Sequence, residues 1–335
     1  MFFIENFDFI AIGDITTDAF IRLKDASVHC QVNNESCEIC LKFADKVPFE
    51  FSEVVKAVGN AANAAVAASR LDLNTAIITN VGDDENGRDC YKVLKSNGVS
   101  TKLMKTQAGK PTNYHYVLWY EAERTILVNH VNYDYSLPAQ AKRLHTNGWV
   151  YLTSLGNGTE KYHEEIADWV LSQPQIKLAF QPGTFQMKLG IDKLKKIYAR
   201  TDVFICNKEE AERILGLGLS DIKVLLEGIR QLGPKTILIT DGPKGAYLYD
   251  DAMYFMPIYP DPKPPYERTG CGDAFAATFV SALALGKSTE EALMWAPVNS
   301  MSVVQYVGAQ KGLLNRESLE AWLAKKPTDY RPRKI

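Results

Sequence analysis

Short apolar runs alternate with amphipathic segments along almost the whole chain. Runs at Phe9–Ile12, Thr75–Val81, Trp149–Thr153, Lys177–Gln181, Val203–Cys206 and Thr236–Thr240 read as buried strands. Between and after them, apolar positions recur at helical spacing over Asn60–Leu71, Asn86–Asn97, Glu160–Leu171, Lys208–Leu215, Ile222–Leu232, Asp273–Leu285, Thr289–Val307 and Arg316–Ala324. This order predicts an α/β fold, a parallel sheet covered by helices on both faces. Two stretches break the alternation. Residues 20–51 and 112–131 are rich in β-branched and aromatic side chains, with period-two patterning at His115–Tyr120 and Thr125–Val128. They predict a small β excursion over the carboxyl ends of the strands, where open α/β sheets bind ligands and where a lid would act. Residues 326–335 form a polar tail, expected to fray.

Composition narrows the function. The 335 residues carry 38 Lys and Arg against 40 Asp and Glu, a net charge of −2, which excludes a phosphate-steered nucleic-acid binder as the default. With 46% hydrophobic and 23% charged residues the chain is expected to bury a large core. Its most apolar stretch, Ala274–Leu285, falls short of the ~20 residues that span a bilayer, and Glu5 and Asp8 stand where a signal peptide would place basic residues. A cytoplasmic protein without membrane partners is the expectation. Six cysteines spread over this length do not resemble a disulfide framework and fit a reducing compartment. His29, Cys30, Cys37 and Cys40 invite a zinc reading, but a second properly spaced pair is missing, and a plain lid hairpin is favoured.

The sharpest segment is Glu267-Arg268-Thr269-Gly270-Cys271-Gly272-Asp273, which leads directly into an apolar helix. Two glycines let backbone approach a ligand, and the first N–H groups of the helix, unpaired and at its positive end, point at an anion. Asp273 then stands where a carboxylate could take a proton from an attacking hydroxyl. Capping alone would explain the aspartate but not the two flanking glycines.

Thr269-Gly270-Cys271-Gly272-Asp273-Ala274-Phe275 resembles the C-terminal signature of the PfkB, or ribokinase-like, carbohydrate kinases. Other pieces follow in family order over about the first 320 residues: Gly13 with Asp18, Gly59-Asn60-Ala61-Ala62-Asn63, Asn207-Lys208-Glu209-Glu210, Thr240 through Gly245, and Asn299. The resemblance implies a three-layer α/β/α ribokinase-like domain over residues 1–325 with a small β-rich lid. It implies ATP-dependent phosphoryl transfer to a hydroxyl, with Asp273 as catalytic base and the backbone of Gly270, Cys271 and Gly272 as the anion hole. Asp18, Gly59 and Asn63 would bind the acceptor; Asn207, Thr240, Gly242, Gly245 and Asn299 would bind the nucleotide. Glu210 would hold Mg²⁺ through water, consistent with magnesium's reluctance to shed its hydration shell. Read without the resemblance, Asn207 and Glu210 also make a capping box.

The chain departs from the family at Val58, at Glu267 and Arg268, and at Gln181, which leaves dependence on a monovalent cation open. Arg268 beside the anion hole is suited to meet a phosphate. The acceptor stays open among free sugar, nucleoside and sugar phosphate. Tyr114, His115, Tyr116 and Trp119 either stack on a base or form the inner face of the lid, the second being favoured. Arg22, Lys24 and Arg124 either read a phosphate or stay solvated. A homodimer joined through the lid would cover its exposed edge. A dinucleotide-dependent oxidoreductase, suggested by Gly156-Asn157-Gly158, fails because Lys161 replaces the third glycine, and no P-loop motif is present. A catalytically silent binder on the same fold is the remaining alternative.

Overall fold

The computed structural model describes residues 6–30, 37–121, 123–144 and 147–335. Glu5 and the 31–36 part of the first lid excursion lie outside them. Among the described residues the main sheet has nine strands, six of them parallel in the order Thr236–Thr240, Val203–Asn207, Lys177–Phe180, Trp149–Leu152, Phe9–Ile12, Thr75–Ile78. Alternate strand residues feed opposite layers, as the two-residue period requires. Phe9, Ala11, Val203 and Ile205 pack under the helices Asn60–Arg70, Cys271–Ala284 and Thr289–Val303. Ile10, Ile12, Phe204 and Cys206 pack under Glu160–Leu171, Lys195–Arg200 and Ile222–Gln231. The result is the expected three-layer α/β/α arrangement.

Four features differ from the sequence reading. The sheet is mixed, because Ala246–Tyr249, Met253–Met256 and Arg333–Lys334 extend it as antiparallel strands. The tail is therefore docked: Tyr330 is buried and donates to the carbonyl of Met294 at 2.7 Å. Thr75–Val81 divides between the main-sheet strand Thr75–Ile78 and Asn80–Gly82, which pairs with Lys105–Gln107. The helix after Ser288 stops at Val303.

The lid is a four-stranded sheet, Glu123–Leu127, Tyr114–Tyr120, Thr16–Leu23 and Phe49–Val58 in spatial order, so it opens at Thr16 and closes at Val58. A hairpin of Ser27–Cys30 and Cys37–Cys40 extends from it. Cys30 and Cys37 face each other across that hairpin and form a disulfide, a correction to the expectation of unpaired cysteines. Cys37 and Cys40, three apart in a strand, point to opposite faces, so this Cys-x-x-Cys does not gather two thiols on one metal. Among the described residues no group of three or more His, Cys, Asp or Glu is arranged for a metal ion, and no helix is long and apolar enough to cross a membrane.

Candidate active site

The helix Cys271–Ala284 begins where the glycine turn ends. Gly270, its N-cap, has φ 79°, and a Cβ there would lie 2.1 Å from the Cβ of Ala309. Both the left-handed backbone and the close approach demand glycine. Gly272 is different, because a Cβ on it would meet nothing within 4 Å. Open cleft lies over it.

Glu267 braces the turn. Its buried carboxylate accepts from the N–H of Thr269 at 2.7 Å and from the Thr269 hydroxyl at 2.5 Å, and its other oxygen accepts from the N–H of Gly308 at 3.2 Å. The departure from the family motif at this position thus ties the two loops that cradle Gly270.

Asp273, in the first helical turn, receives neutral amides. Its Oδ1 accepts from Asn60 Nδ2 at 2.8 Å and Gln181 Nε2 at 3.5 Å, and its Oδ2 from Asn63 Nδ2 at 2.8 Å. Those amides are themselves oriented. Gln310 Nε2 donates to Asn63 Oδ1 at 3.1 Å and to the carbonyl of Ala57 at 2.8 Å, while the Tyr151 hydroxyl donates to Gln181 Oε1. Burial pushes the Asp273 carboxyl above its ordinary range, and the three amides oppose that shift by stabilising the charged form. A carboxylate moved toward neutrality and free of a bonded cation is suited to accept a proton.

Two clefts meet at this turn. One is walled by Met256, Ile258, Tyr259, Phe275 and Met301, with Thr240, Gly242 and Gly245 on its border. The other contains Asp18, Gly59, Asn63, Asn207, Glu210 and Asp273. Thr240, Arg268, Cys271 and Gly272 border both. The helix N-terminus, the end whose free N–H groups suit an anion, thus lies between two ligand-sized spaces.

Most of the residues singled out in the sequence are brought together here. Asp18 is buried on the lid strand Thr16–Leu23, 3.5 Å from His115 Nδ1 on the neighbouring strand. Gly59 caps the helix Asn60–Arg70 with φ 97°, so one glycine suffices where the family commonly has two. Asn207 and Glu210 do form the capping box: Asn207 Oδ1 accepts from the Glu210 N–H at 2.8 Å, and Glu210 Oε2 accepts from the Asn207 N–H at 2.9 Å. Both still face the second cleft, and burial raises the Glu210 carboxyl.

Asn299 is the exception. It is fully buried, donates to Thr278 Oγ1 at 2.8 Å and accepts from the Leu314 N–H at 2.9 Å, so its side chain is spent between elements and does not reach the cleft. Its neighbours Ser300 and Met301 line the cleft instead. In the lid, Trp119 is buried in a small core with Phe20, Val117 and Val307, with the Arg22 guanidinium 4.3 Å above its ring. Those two serve the lid's packing, while Arg124 faces the second cleft.

Sequence reasoning missed Asn60, whose signal was its place in Gly59-Asn60-Ala61-Ala62-Asn63, and it treated Gln181 only as a departure. It also missed Asp14. That carboxylate is buried, accepts from the Tyr135 hydroxyl at 2.8 Å and the Gly156 N–H at 2.7 Å, and lies 3.9 Å from His130 Nδ1. Burial raises Asp14 to about 6 and lowers His130 to about 4.

Known proteins share both the sequence pattern and this fold. The chain is 24% identical over 265 residues to a nucleoside kinase of Methanothermobacter thermautotrophicus, covering 76% of this chain and 80% of that one. It is 29% identical over 271 residues to the ribokinase of Bacillus subtilis, covering 79% and 87%. The structure of Arabidopsis thaliana ribokinase complexed with ribose and ATP superposes with a TM-score of 0.77 at 19% identity, over 95% of this chain and 99% of that one. The family model described as pfkB family carbohydrate kinase matches residues 28–316, a span that includes Asn60 and Asn63, the cleft-facing capping box and the glycine turn. By that match the chain belongs to the PfkB family of carbohydrate kinases.

Proposed function

We propose that the protein transfers the γ-phosphoryl group of ATP to a hydroxyl of a sugar or nucleoside, with Asp273 as the base. The observation that carries this reading is the meeting of two clefts at Cys271 and Gly272, with the Asp273 carboxylate on the acceptor side. The acceptor oxygen attacks the γ-phosphorus, the bond from that phosphorus to the bridging oxygen breaks, ADP departs with the electron pair, and the hydroxyl proton passes to Asp273. The turn N–H groups at Gly270, Cys271 and Gly272 stabilise the charge on the moving group, and Asn60, Asn63 and Gln181 hold Asp273 in line. Positioning of this kind is most of what phosphoryl transfer asks of a protein.

The apolar cleft suits adenine, with Thr240, Gly242 and Gly245 along the phosphates. The ribokinase of A. thaliana, solved with ribose and ATP, supports the same division. The donor set fits magnesium. Glu210 offers a carboxylate to a water on the ion, whereas Asn207 Oδ1 is engaged in the cap and its amide nitrogen suits a phosphate oxygen. Bound magnesium would neutralise phosphate charge.

We also read residues 1–325 as one kinase unit acting in the cytoplasm, since Asp18, Asn63 and Asp273 share one cleft. Apolar positions exposed on the lid, among them Phe49 and Val54, support a homodimer through it, which sedimentation velocity would test. The decisive experiment is ADP release from Mg-ATP across sugars and nucleosides, beside Asp273→Asn. Acceptor-dependent release abolished by the substitution is expected; release that survives it undiminished overturns the base assignment. Binding without release would return the chain to a silent binder.

A further inference from the structure

The lid strand Glu123–Leu127 turns alternate residues into the acceptor cleft: Arg124, Ile126 and, just past its end, Val128 line it, and Thr125 and Leu127 do not. The three run outward from the transfer centre. Arg124 stands at the inner end, where its charge is felt by both Asp273 and the Cys271 thiol. At roughly 3.3 Å per residue, Val128 lies about 13 Å further along the strand. Ile126 and Val128 remain 38% and 54% exposed, so the lid leaves two large aliphatic side chains uncovered inside a cleft floored by Asp18, Asn63 and Asp273.

Two rings line the same cleft. His130 meets Phe185 edge-on, with centroids 5.3 Å apart. His130 is uncharged at neutral pH, because burial lowers it to about 4. His115 has Asp18 at 3.5 Å, which balances any charge it gains. The fixed cations on this cleft, among the described residues, are Arg124 and Arg268, and Arg268 borders the nucleotide cleft as well. Positive charge is therefore concentrated where the phosphoryl group moves, and the far end is neutral and apolar.

We propose that the acceptor is a nucleoside, its ribose on Asp18 and Asn63 and its base against the apolar and uncharged lining made by Ile126, Val128, His130 and Phe185. The proposal rests on the kinase reading above and narrows it. A flat, uncharged, weakly polar ring covers those four side chains and gains their contact area. A free sugar leaves the aliphatic pair wet. A sugar phosphate would set a dianion against this aliphatic pair, away from the two arginines at the inner end, which costs desolvation of the charge.

The test is ADP release by the full chain near neutral pH, with Mg-ATP and adenosine, guanosine, cytidine, uridine, D-ribose or fructose 6-phosphate as acceptor. At least one nucleoside should exceed both D-ribose and fructose 6-phosphate in kcat/KM by about 100-fold, the range that pocket complementarity supplies. The double variant Ile126→Ser, Val128→Ser should cut that ratio by about tenfold, with the larger loss on the nucleoside. D-ribose or fructose 6-phosphate matching every nucleoside overturns the proposal while leaving the kinase intact. If no acceptor releases ADP, the kinase reading falls, and calorimetry with the same six compounds decides this one. Tighter binding of a nucleoside than of D-ribose sustains it; equal or absent binding overturns it.

Discussion

The body and the lid of this molecule are built from the same strand chemistry to opposite ends. In the body, Phe9–Ile12 and Trp149–Leu152 are buried at every position, because helices cover both faces of the sheet. In the lid, Glu50–Val55 alternates exposed and half-buried positions, and the core beneath it is essentially Phe20, Val117, Trp119 and Val307. The body holds Asp273 from several segments at once, through Asn60, Asn63 and Gln181, with Asn63 oriented by Gln310 and Gln181 by Tyr151. The lid holds Asp18, His115 and Arg124 on strands with one wet face. Under the proposed function, a site split this way keeps its chemistry on the more deeply buried part and its choice of acceptor on the part with the smaller core.

That contrast can be broken in order of expected effect. Asp273→Asn should lower kcat by about 10²–10⁴-fold while both ligands still bind, measured by ADP release beside calorimetry. Since burial raises the Asp273 carboxyl, wild-type kcat should fall with decreasing pH at a midpoint above the ordinary carboxylate range, and that limb should vanish in the variant. Trp119→Ala removes the largest side chain of the lid core and should destabilise the lid by about 3–5 kcal/mol. Hydrogen exchange should rise in the lid strands and not in Phe9–Ile12, and KM should rise for the acceptor far more than for ATP. Equal exchange in both parts would show that they do not fold as separately as their cores suggest.

Gly270→Ala and Gly272→Ala sharpen the picture within the body. The first meets Ala309 and a left-handed backbone, and should lose about 2–4 kcal/mol in chemical denaturation. The second meets nothing, sits inside a helix, and should leave stability unchanged or raise it by about 0.5–1 kcal/mol while kcat falls. Asp14, on the link between body and lid, gives an effect that depends on pH. Its folded pKa is raised to about 6 from 3.8, so its stabilising contribution is fully present below about pH 4 and is lost as pH rises through about 6. The loss amounts to at most about 3 kcal/mol, and Asp14→Asn should flatten it in denaturant midpoints measured across that window.

How much was legible follows from how local each signal is. The body's parallel strands announce themselves because burial on both faces makes them uninterrupted apolar runs, and Gly270 and Gly272 because a helix start beside glycines has few uses. The antiparallel pair Ala246–Tyr249 and Met253–Met256 passed unnoticed, because it alternates buried and half-buried positions instead of being buried on both faces, and Arg333–Lys334 is a strand only because an edge was there to receive it. Asn299 was misplaced because its position beside Ser300 and Met301 is local, whereas its burial against Thr278 and Leu314 is not. His130 carried no signal in the chain; its meaning comes from Asp14, His115 and Phe185.

By itself, then, the sequence determined the layered α/β architecture, the glycine turn and the helix that starts from it with Asp273 in its first turn, since periodicity and helix starts are written in adjacent residues. Tertiary structure alone decided which side chains line the second cleft, which amides bond Asp273, and that Glu267 braces the glycine turn. Those outcomes depend on contacts between residues as distant as Asn63 and Gln310, where only packing brings a donor within reach of its acceptor.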